Sequence, residues 1–175
     1  MAMKEQRPEK TPQSPEIVYS ERFGDTYFSR DNGLAETHYV FLRGNRLPDA
    51  WMGRDSFVIA ETGFGTGMNF LATWDLFDRT APPGQSLHYI GIEKYPLDRA
   101  ILERFLTPLF GGRAGRFLAE YPFPVPGFHR LPLADNVSLT LVFDDVCEAL
   151  NIMDAGVDCW FLDGFTPSLN PEMWR

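Results

Sequence analysis

Three glycines at alternate positions follow a short apolar run, and they constrain the fold more than any other part of the sequence. The apolar run ends at Glu61, and the glycines are Gly63, Gly65 and Gly67. Apolar residues at helical spacing then continue over residues 67–77. A strand, a glycine turn and a helix in this order form the first unit of a nucleotide-binding sheet. We therefore expect a doubly wound α/β fold whose glycine turn lies against a ligand, because glycine permits positive φ and close approach.

The glycine spacing and the acid before it favour one class of ligand. A dinucleotide fingerprint reads G-x-G-x-x-G, whereas the third glycine, Gly67, comes one residue early here. Glu61 lies two residues before the first glycine, where a carboxylate would repel a pyrophosphate on the helix N-terminus. The same carboxylate suits the sulfonium and amino groups of S-adenosylmethionine. We therefore predict S-adenosylmethionine, with NAD, FAD and a tight turn without a ligand as the alternatives.

Strand and helix patterns alternate along the rest of the chain, which predicts right-handed crossovers and a ligand site at the carboxyl ends of the strands. Three segments are predicted: a mobile tail (1–15), an N-terminal extension (16–56) and a core (57–175). The extension is expected to contain a hairpin or lid and a strand at 38–43. In the core, strands are expected at 57–61, 87–93, 128–133, 137–143 and 157–163, and helices at 67–77, 97–110 and 145–154. Residues 111–127 are expected to be an irregular connection. The strand at 157–163 is largely apolar, as is typical of the middle of a parallel sheet, although these residues alone would leave it at an open edge.

Acidic residues end four of the predicted strands. They are Glu61, Glu93, the pair Asp144 and Asp145, and Asp163. We expect all of them to face one crevice, because the carboxyl ends of parallel strands lie at the same edge of a sheet. Glu93 would accept hydrogen bonds from ribose hydroxyls, and Asp144 or Asp145 from an adenine amino group. The alternatives are solvated loop acids or a helix N-cap, for which Asp145 is well placed.

Asp163 has different surroundings, which indicate chemistry on an amine. A glycine, Phe165 and a proline-braced loop follow it, and Trp174 lies further along. A nearby carboxylate can orient an amine and take up its proton during methylation. Phe165 or Trp174 could pack on a planar base. The alternative is that Asp163 only caps the turn that follows it.

Composition excludes several other classes of protein. The net charge is −8 and no run of Lys and Arg is present, so these residues alone are not expected to grip nucleic acid through its phosphates. Cys147 and Cys159 lack metal-ligand spacing and are expected to be buried, which fits a reducing, cytoplasmic location. His38, His88 and His129 are each expected in a strand, so no metal site is predicted. No apolar run reaches the roughly 18 residues of a membrane span, and no signal peptide is recognisable.

These motifs together resemble the methyltransferase domains of the MnmC family of tRNA 5-methylaminomethyl-2-thiouridine biosynthesis proteins. The resemblance covers about residues 23–174 and rests on segments 27–37, 61–71, 127–131 and 160–174, of which the last is the most specific. It implies a class I, Rossmann-like methyltransferase fold. It also implies methyl transfer from S-adenosylmethionine to the primary amine of 5-aminomethyl-2-thiouridine, at the wobble position of certain tRNAs.

The resemblance also implies roles for individual residues. The cofactor would contact Glu61, Gly63, Phe64, Gly65, Gly67, Asn69, Glu93, Lys94, Asp144 and Asp145. The substrate would contact Tyr27, Asn32, Glu36, Phe165 and Trp174, with Asp163 as the catalytic residue. A glycine is usual in the family at the position of Asp144, so the adenine-side role falls mainly on Asp145.

The family further implies an FAD-dependent oxidoreductase domain, fused or separate, that lies outside these residues. It also implies that the sheet continues beyond Arg175, so we expect the chain to be C-terminally incomplete after its fourth core strand. Two other functions remain open from the residues alone. One is a nicotinamide- or flavin-linked oxidoreductase built on the same unit. The other is an inactive, truncated module that acts as an interaction partner.

Overall fold

The computed structural model describes residues 19, 20, 22, 24–27 and 33–174, so the predicted tail and Asn32 lie outside the described residues. The strands are β1 (Tyr19–Ser20), β2 (Asp25–Thr26), β3 (Ser56–Thr62), β4 (Ser86–Ile92), β5 (Gly127–Ala134), β6 (Val137–Phe143) and β7 (Cys159–Leu162). The helices are α1 (Gly33–Glu36), a π-helix (Thr37–Arg43), α2 (Met68–Thr80), α3 (Arg99–Phe110), α4 (Gly112–Glu120) and α5 (Val146–Ile152), with 3₁₀ turns at Asp49–Trp51 and Pro171–Trp174.

Five of the strands form one mixed sheet in the order β5-β6-β4-β3-β7. Strands β3, β4, β6 and β7 are parallel, and β5 runs antiparallel to β6 through a turn at Asp135 and Asn136. The predicted α/β fold and the predicted hairpin are both confirmed. The chain proceeds from β3 towards β4 and β6 and then returns to the other side of β3 as β7. A ligand crevice is expected where the strand order reverses in this way, at the carboxyl ends of β3 and β7.

Large aromatic side chains fill the core on one face of the sheet. Phe70 of α2 packs edge-on against Tyr89 of β4, with ring centroids 5.1 Å apart. Phe117 of α4 closes the same cluster from the other side of Phe70. Helix α5 covers part of the opposite face through Val146 and Ala149. None of the described helices is long and apolar enough to cross a membrane.

The strand predicted at residues 38–43 is wrong, because this segment is the π-helix that continues α1. Its aromatic residues, Tyr39 and Phe41, and the β-branched Val40 are typical of a strand, but strand preference depends strongly on context. Leu42 is buried in the core, and Phe41 packs 5.3 Å from Phe161 of β7. Tertiary packing therefore decides the helical form. A short antiparallel pair, β1 with β2, is the hairpin of the N-terminal extension.

The connection predicted over residues 111–127 contains a helix that the sequence interpretation missed. In α4 the buried residues are Ala114, Phe117 and Leu118, spaced as one face of an amphipathic helix. Two glycines within α4, Gly112 and Gly115, obscured this pattern in the sequence. The preceding helix, α3, begins at Arg99 and not at residue 97.

Strand β7 has the apolar composition of a central strand, and it lies at the edge of the described sheet, as expected for these residues alone. Its exposure alternates, with Phe161 buried and Leu162 64% exposed. The expectation for the cysteines holds for Cys159, which is buried, and is wrong for Cys147, which is exposed on α5. Similarly, His38 lies in the π-helix and not in a strand.

Candidate active site

A cavity of about 520 Å³ opens at the carboxyl ends of the parallel strands. This volume is in the range of small-molecule and cofactor pockets. Most of the residues predicted for the site line it, namely Tyr27, Glu36, Gly63, Phe64, Gly65, Asn69, Glu93, Lys94, Asp144, Asp145, Asp163 and Phe165. Glu61, Gly67 and Trp174 do not line it. Three of the four acidic strand ends therefore meet at one cavity, and the fourth, Glu61, lies beneath it.

The glycine loop after β3 is hydrogen-bonded to residues at the carboxyl ends of the two neighbouring strands, β4 and β7. The backbone amides of Gly63 and Phe64 both donate to the carbonyl of Ile92, at 3.0 and 2.9 Å. Thr62 Oγ1 donates to the carbonyl of Asp163 at 2.9 Å. Gly63 has φ of +72°, and a Cβ there would lie 2.9 Å from the same carbonyl oxygen. The loop after β7 therefore makes a close approach that requires glycine at position 63.

Phe64 was predicted to contact the cofactor, but its side chain points into the core. It is 4% exposed and packs against Phe70 and Phe117. A Cβ on Gly67 would lie 2.9 Å from the Phe64 ring, and a Cβ on Gly91 would overlap it. The sequence could not show this, because the space for the Phe64 ring is left by Gly91, which lies on the neighbouring strand β4.

Glu61 is 0% exposed, in contrast to the expectation that it faces a ligand. Its Oε1 accepts a hydrogen bond from Asn69 Nδ2 at 2.6 Å, and its Oε2 accepts one from the Tyr89 hydroxyl at 2.9 Å. Burial and the neighbouring Asp163 raise the pKa of Glu61 well above its usual value. Tyr89 was not predicted as a site residue, although a buried acid on a central strand requires donors from adjacent strands.

Asp163 lies at the cavity with both carboxylate oxygens engaged. Oδ1 accepts from the backbone amide of Gly164 at 2.7 Å, and Oδ2 accepts from Asn69 Nδ2 at 2.8 Å. Burial raises the pKa of Asp163 to about 6, with a further contribution from the charges of Glu36 and Glu93. The contact with Gly164 is the turn cap that the sequence analysis kept as an alternative. A carboxyl group that titrates near 6 can also exchange a proton close to neutral pH.

Glu93 links the second strand to the glycine loop. Its Oε2 accepts from the Gly65 amide at 2.8 Å and its Oε1 from the Tyr95 amide at 2.7 Å. Burial raises the pKa of this carboxyl group. Each oxygen keeps a lone pair that backbone donors do not use, so Glu93 can still accept from a ligand hydroxyl.

Asp145 has the structural role that the sequence analysis left open. It is the N-cap of α5, where Oδ1 accepts from the Cys147 amide at 2.9 Å. Lys94 forms an ion pair with Oδ2 at 2.9 Å, and this contact holds the pKa of Asp145 below its usual value. Asp144 Oδ1 accepts from the Asp145 amide at 2.7 Å. These three side chains line the cavity next to the end of β6.

The N-terminal extension forms part of the cavity rim, through contacts that no local sequence pattern indicates. Asp25 Oδ2 accepts from both the amide and the hydroxyl of Thr166, at 3.2 and 2.9 Å. Tyr27 meets Phe165 edge-on with ring centroids 5.0 Å apart. Trp174 stands outside, 40% exposed, and its indole nitrogen donates to the Phe165 carbonyl at 3.1 Å. Trp174 thus supports the loop that carries Phe165.

Comparison with known proteins agrees with this arrangement. Residues 110–175 match a family described as S-adenosyl-L-methionine-dependent methyltransferase. The tRNA 5-methylaminomethyl-2-thiouridine biosynthesis bifunctional protein MnmC from Chromohalobacter salexigens is 51% identical over 162 residues, which are 90% of this chain and 23% of that protein. The MnmC protein of Marinobacter nauticus is 52% identical over 167 residues, 90% of this chain and 26% of that protein. The chain is similar to the methyltransferase domain of MnmC proteins.

Its fold is that of a Rossmann-like methyltransferase. The crystal structure of MNMC2 from Aquifex aeolicus superposes with a TM-score of 0.71 at 24% identity, covering 95% of this chain and 54% of that one. The resemblance to MnmC seen in the motifs is therefore confirmed, and S-adenosyl-L-methionine is the cofactor of the matched family. The chain spans about a quarter of the length of the MnmC relatives it matches.

Proposed function

We propose that this chain is an S-adenosylmethionine-dependent N-methyltransferase that acts on the primary amine of 5-aminomethyl-2-thiouridine at the tRNA wobble position. Residues 57–175 would form its cofactor-binding core and residues 16–56 its extension. The observation that carries the proposal is the position of Asp163, a half-buried acid that shares one cavity with Glu93 and the glycine loop. The names of the MnmC relatives give the tRNA nucleoside 5-methylaminomethyl-2-thiouridine, which is the methylated form of the proposed substrate.

The charge of the cavity supports a cationic cofactor. Seven acidic and two basic side chains line it: Asp25, Glu36, Glu93, Asp144, Asp145, Asp163 and Glu172, with Arg22 and Lys94. Lys94 is already paired with Asp145. A negative cavity attracts a sulfonium and an amino group and repels a pyrophosphate. This argues for S-adenosylmethionine over NAD or FAD.

Asp163 would act on the acceptor amine. The amine must be neutral to attack the methyl group that the cofactor supplies, and a carboxylate within hydrogen-bond reach orients its lone pair. When the nitrogen gains the methyl group, the Asp163 carboxylate can take up the proton that the nitrogen loses, because the pKa of Asp163 is raised to about 6. Tyr27 and Phe165 stand at the rim, where aromatic rings can pack against the uridine base.

One surface beside the cavity fits RNA despite the net charge of −8. Residues 37–48 contain two arginines, Arg43 and Arg46, and no acidic residue. Tyr39 is 69% exposed, and the Arg43 guanidinium lies 5.9 Å from the centre of its ring. Neither arginine forms a salt bridge within the described part of the chain. Thr37 of the same segment lines the cavity, so RNA held here would have a base within reach.

Calorimetric titration of the purified protein with S-adenosylmethionine and with its demethylated product tests the cofactor assignment. Both are expected to bind. An anticodon stem-loop that carries 5-aminomethyl-2-thiouridine should then gain one methyl group, measured by mass spectrometry. Tighter binding of NADH or FAD would support an oxidoreductase instead. Absence of binding by every cofactor would support the interaction module.

The double variant Arg43→Glu/Arg46→Glu is expected to weaken binding of the same stem-loop by about 10-fold or more, because phosphate contacts dominate affinity for RNA. The slope of log affinity against log salt should also fall by roughly 0.7 for each phosphate that the protein no longer neutralises. Fluorescence anisotropy at several salt concentrations measures both effects. The matched control is Arg99→Glu/Arg116→Glu on α3 and α4, which are exposed and do not line the cavity. Equal losses of affinity in the two double variants would show that only net charge matters.

A further inference from the structure

Asn69 lies in the first turn of α2 and connects three other segments of the site. Its Nδ2 donates to Glu61 Oε1 at 2.6 Å and to Asp163 Oδ2 at 2.8 Å. Its Oδ1 accepts from the Thr37 hydroxyl at 2.7 Å. The Asn69 side chain therefore joins β3, the loop after β7 and the π-helix. Tyr89 extends the chain of hydrogen bonds to β4 through Glu61.

The hydrogen bonds fix the orientation of the Asn69 carboxamide. The opposite orientation would place its oxygen against two carboxylates, which have no hydrogen to donate when ionised. In the observed orientation both N–H groups have acceptors and the oxygen has a donor. The residue is 7% exposed. Its amide hydrogens are thus used inside the protein, although the sequence predicted that Asn69 contacts the cofactor.

We propose that Asn69 is a positioning residue for Asp163. The Asn69 carboxamide holds the Asp163 carboxylate at the cavity, beside the buried Glu61, and makes no hydrogen bond of its own to the cofactor. The inference that this serves an acceptor amine rests on the proposed function. The inference that Asn69 positions the Asp163 carboxylate does not rest on the proposed function, because it concerns only Asn69, Asp163 and Glu61. The buried Glu61 and the half-buried Asp163 each receive an N–H donor from this carboxamide. A donor to the charged form favours ionisation.

Other charged or titratable groups face the same region from neighbouring elements. They are Glu36 of α1, Glu61 of β3, Tyr89 of β4, Glu93 and Lys94 after β4, Asp145 before α5 and Glu172 in the loop after β7. The acidic groups near Asp163 disfavour a second negative charge, and Lys94 is already paired with Asp145. Among the described residues, the side-chain donor to Asp163 is Asn69. Removal of this donor should therefore act directly on the Asp163 carboxyl group.

The test is a titration of the Asp163 side-chain carboxyl carbon by ¹³C NMR, in the wild type and in Asn69→Leu, without cofactor or RNA. The resonance is assigned by its disappearance in Asp163→Asn. Leu has nearly the shape of Asn and no donor, so the pKa of Asp163 should rise by about one unit or more. The affinity for S-adenosylmethionine should stay within about 3-fold.

Thr37→Val is the control, because it removes a partner of Asn69 and leaves both N–H donors in place. It should move the pKa of Asp163 by less than about 0.3 units, well below the value expected when the donor is removed. A smaller variant that also lacks a donor, Asn69→Ala, replaces Asn69→Leu if the latter does not fold. The proposal is overturned if the pKa of Asp163 is unchanged in the Asn69 variant, or if Thr37→Val shifts it equally. A loss of cofactor affinity of tenfold or more with an unchanged pKa would make Asn69 a direct cofactor contact. None of these outcomes depends on methyl transfer.

Discussion

Replacement of Asp163 by Asn is expected to lower the rate of methyl transfer by about 100-fold or more, the usual scale for a proton-transfer group. The amide has nearly the same shape but cannot take up a proton from the amine. Cofactor affinity should change by only a few-fold, because the change does not remove Glu93 or the glycine loop. Single-turnover rates at saturating cofactor, with calorimetry for binding, separate the two effects. Glu172→Gln is the control, since Glu172 lines the same cavity and should lower the rate less than about 3-fold.

The pH dependence gives a second check on Asp163. The wild-type rate should fall as pH decreases through about 6, because the carboxylate becomes protonated there. In Asp163→Asn this fall in rate near pH 6 should disappear. The remaining pH dependence should be that of the ionisation of the amine itself. A loss confined to cofactor binding would place Asp163 in the cofactor site, and an unchanged rate would remove it from the reaction altogether.

Replacement of Gly91 by Ala is expected to destabilise the fold by about 1–3 kcal/mol, the usual cost of an overpacked core. The new Cβ would overlap the buried ring of Phe64, which Phe70 and Phe117 hold from other sides. The melting temperature should fall by about 2–4 °C for each kcal/mol in a chain of this size. Because Phe64 belongs to the glycine loop, the affinity for S-adenosylmethionine should fall as well.

Gly115→Ala provides the matched control for Gly91→Ala. Gly115 lies within α4 with open space around its Cα, so alanine there should stabilise the helix by up to about 1 kcal/mol. Differential scanning fluorimetry compares the two variants under the same conditions. If Gly91→Ala has the same melting temperature as the wild type, the Phe64 ring can move without destabilising the fold. In that case the packing of Phe64 does not fix the position of the glycine loop.

The sequence predicted the parts of the fold that local patterns determine. The strand, glycine turn and helix around Gly63 appear as expected. The meeting of Glu93 and Asp163 at one cavity followed from parallel topology alone, since strand ends share an edge. The cofactor preference followed from the spacing of the glycines, whereas the carboxylate that was expected to face the cofactor, Glu61, is buried. These inferences needed no knowledge of which side chains touch.

The failures concern contacts between segments that are distant in the sequence. The burial of Glu61 depends on Tyr89, a residue of the neighbouring strand, and on Asn69. The inward orientation of Phe64 depends on Gly91. Residues 38–43 are helical because Leu42 and Phe41 pack on the core, although their composition is typical of a strand. No local pattern contains this information.

The loops after β3 and β7 are joined by the bond from Thr62 to the Asp163 carbonyl and by the contact at Gly63. A ligand that displaces one of these loops must therefore also disturb its contacts with the other loop. Binding linkage is reciprocal, so any factor by which the spent cofactor changes affinity for the acceptor also applies in the opposite direction. In an enzyme built this way, the affinities for the two products would be coupled through the hydrogen bond from Thr62 to the Asp163 carbonyl.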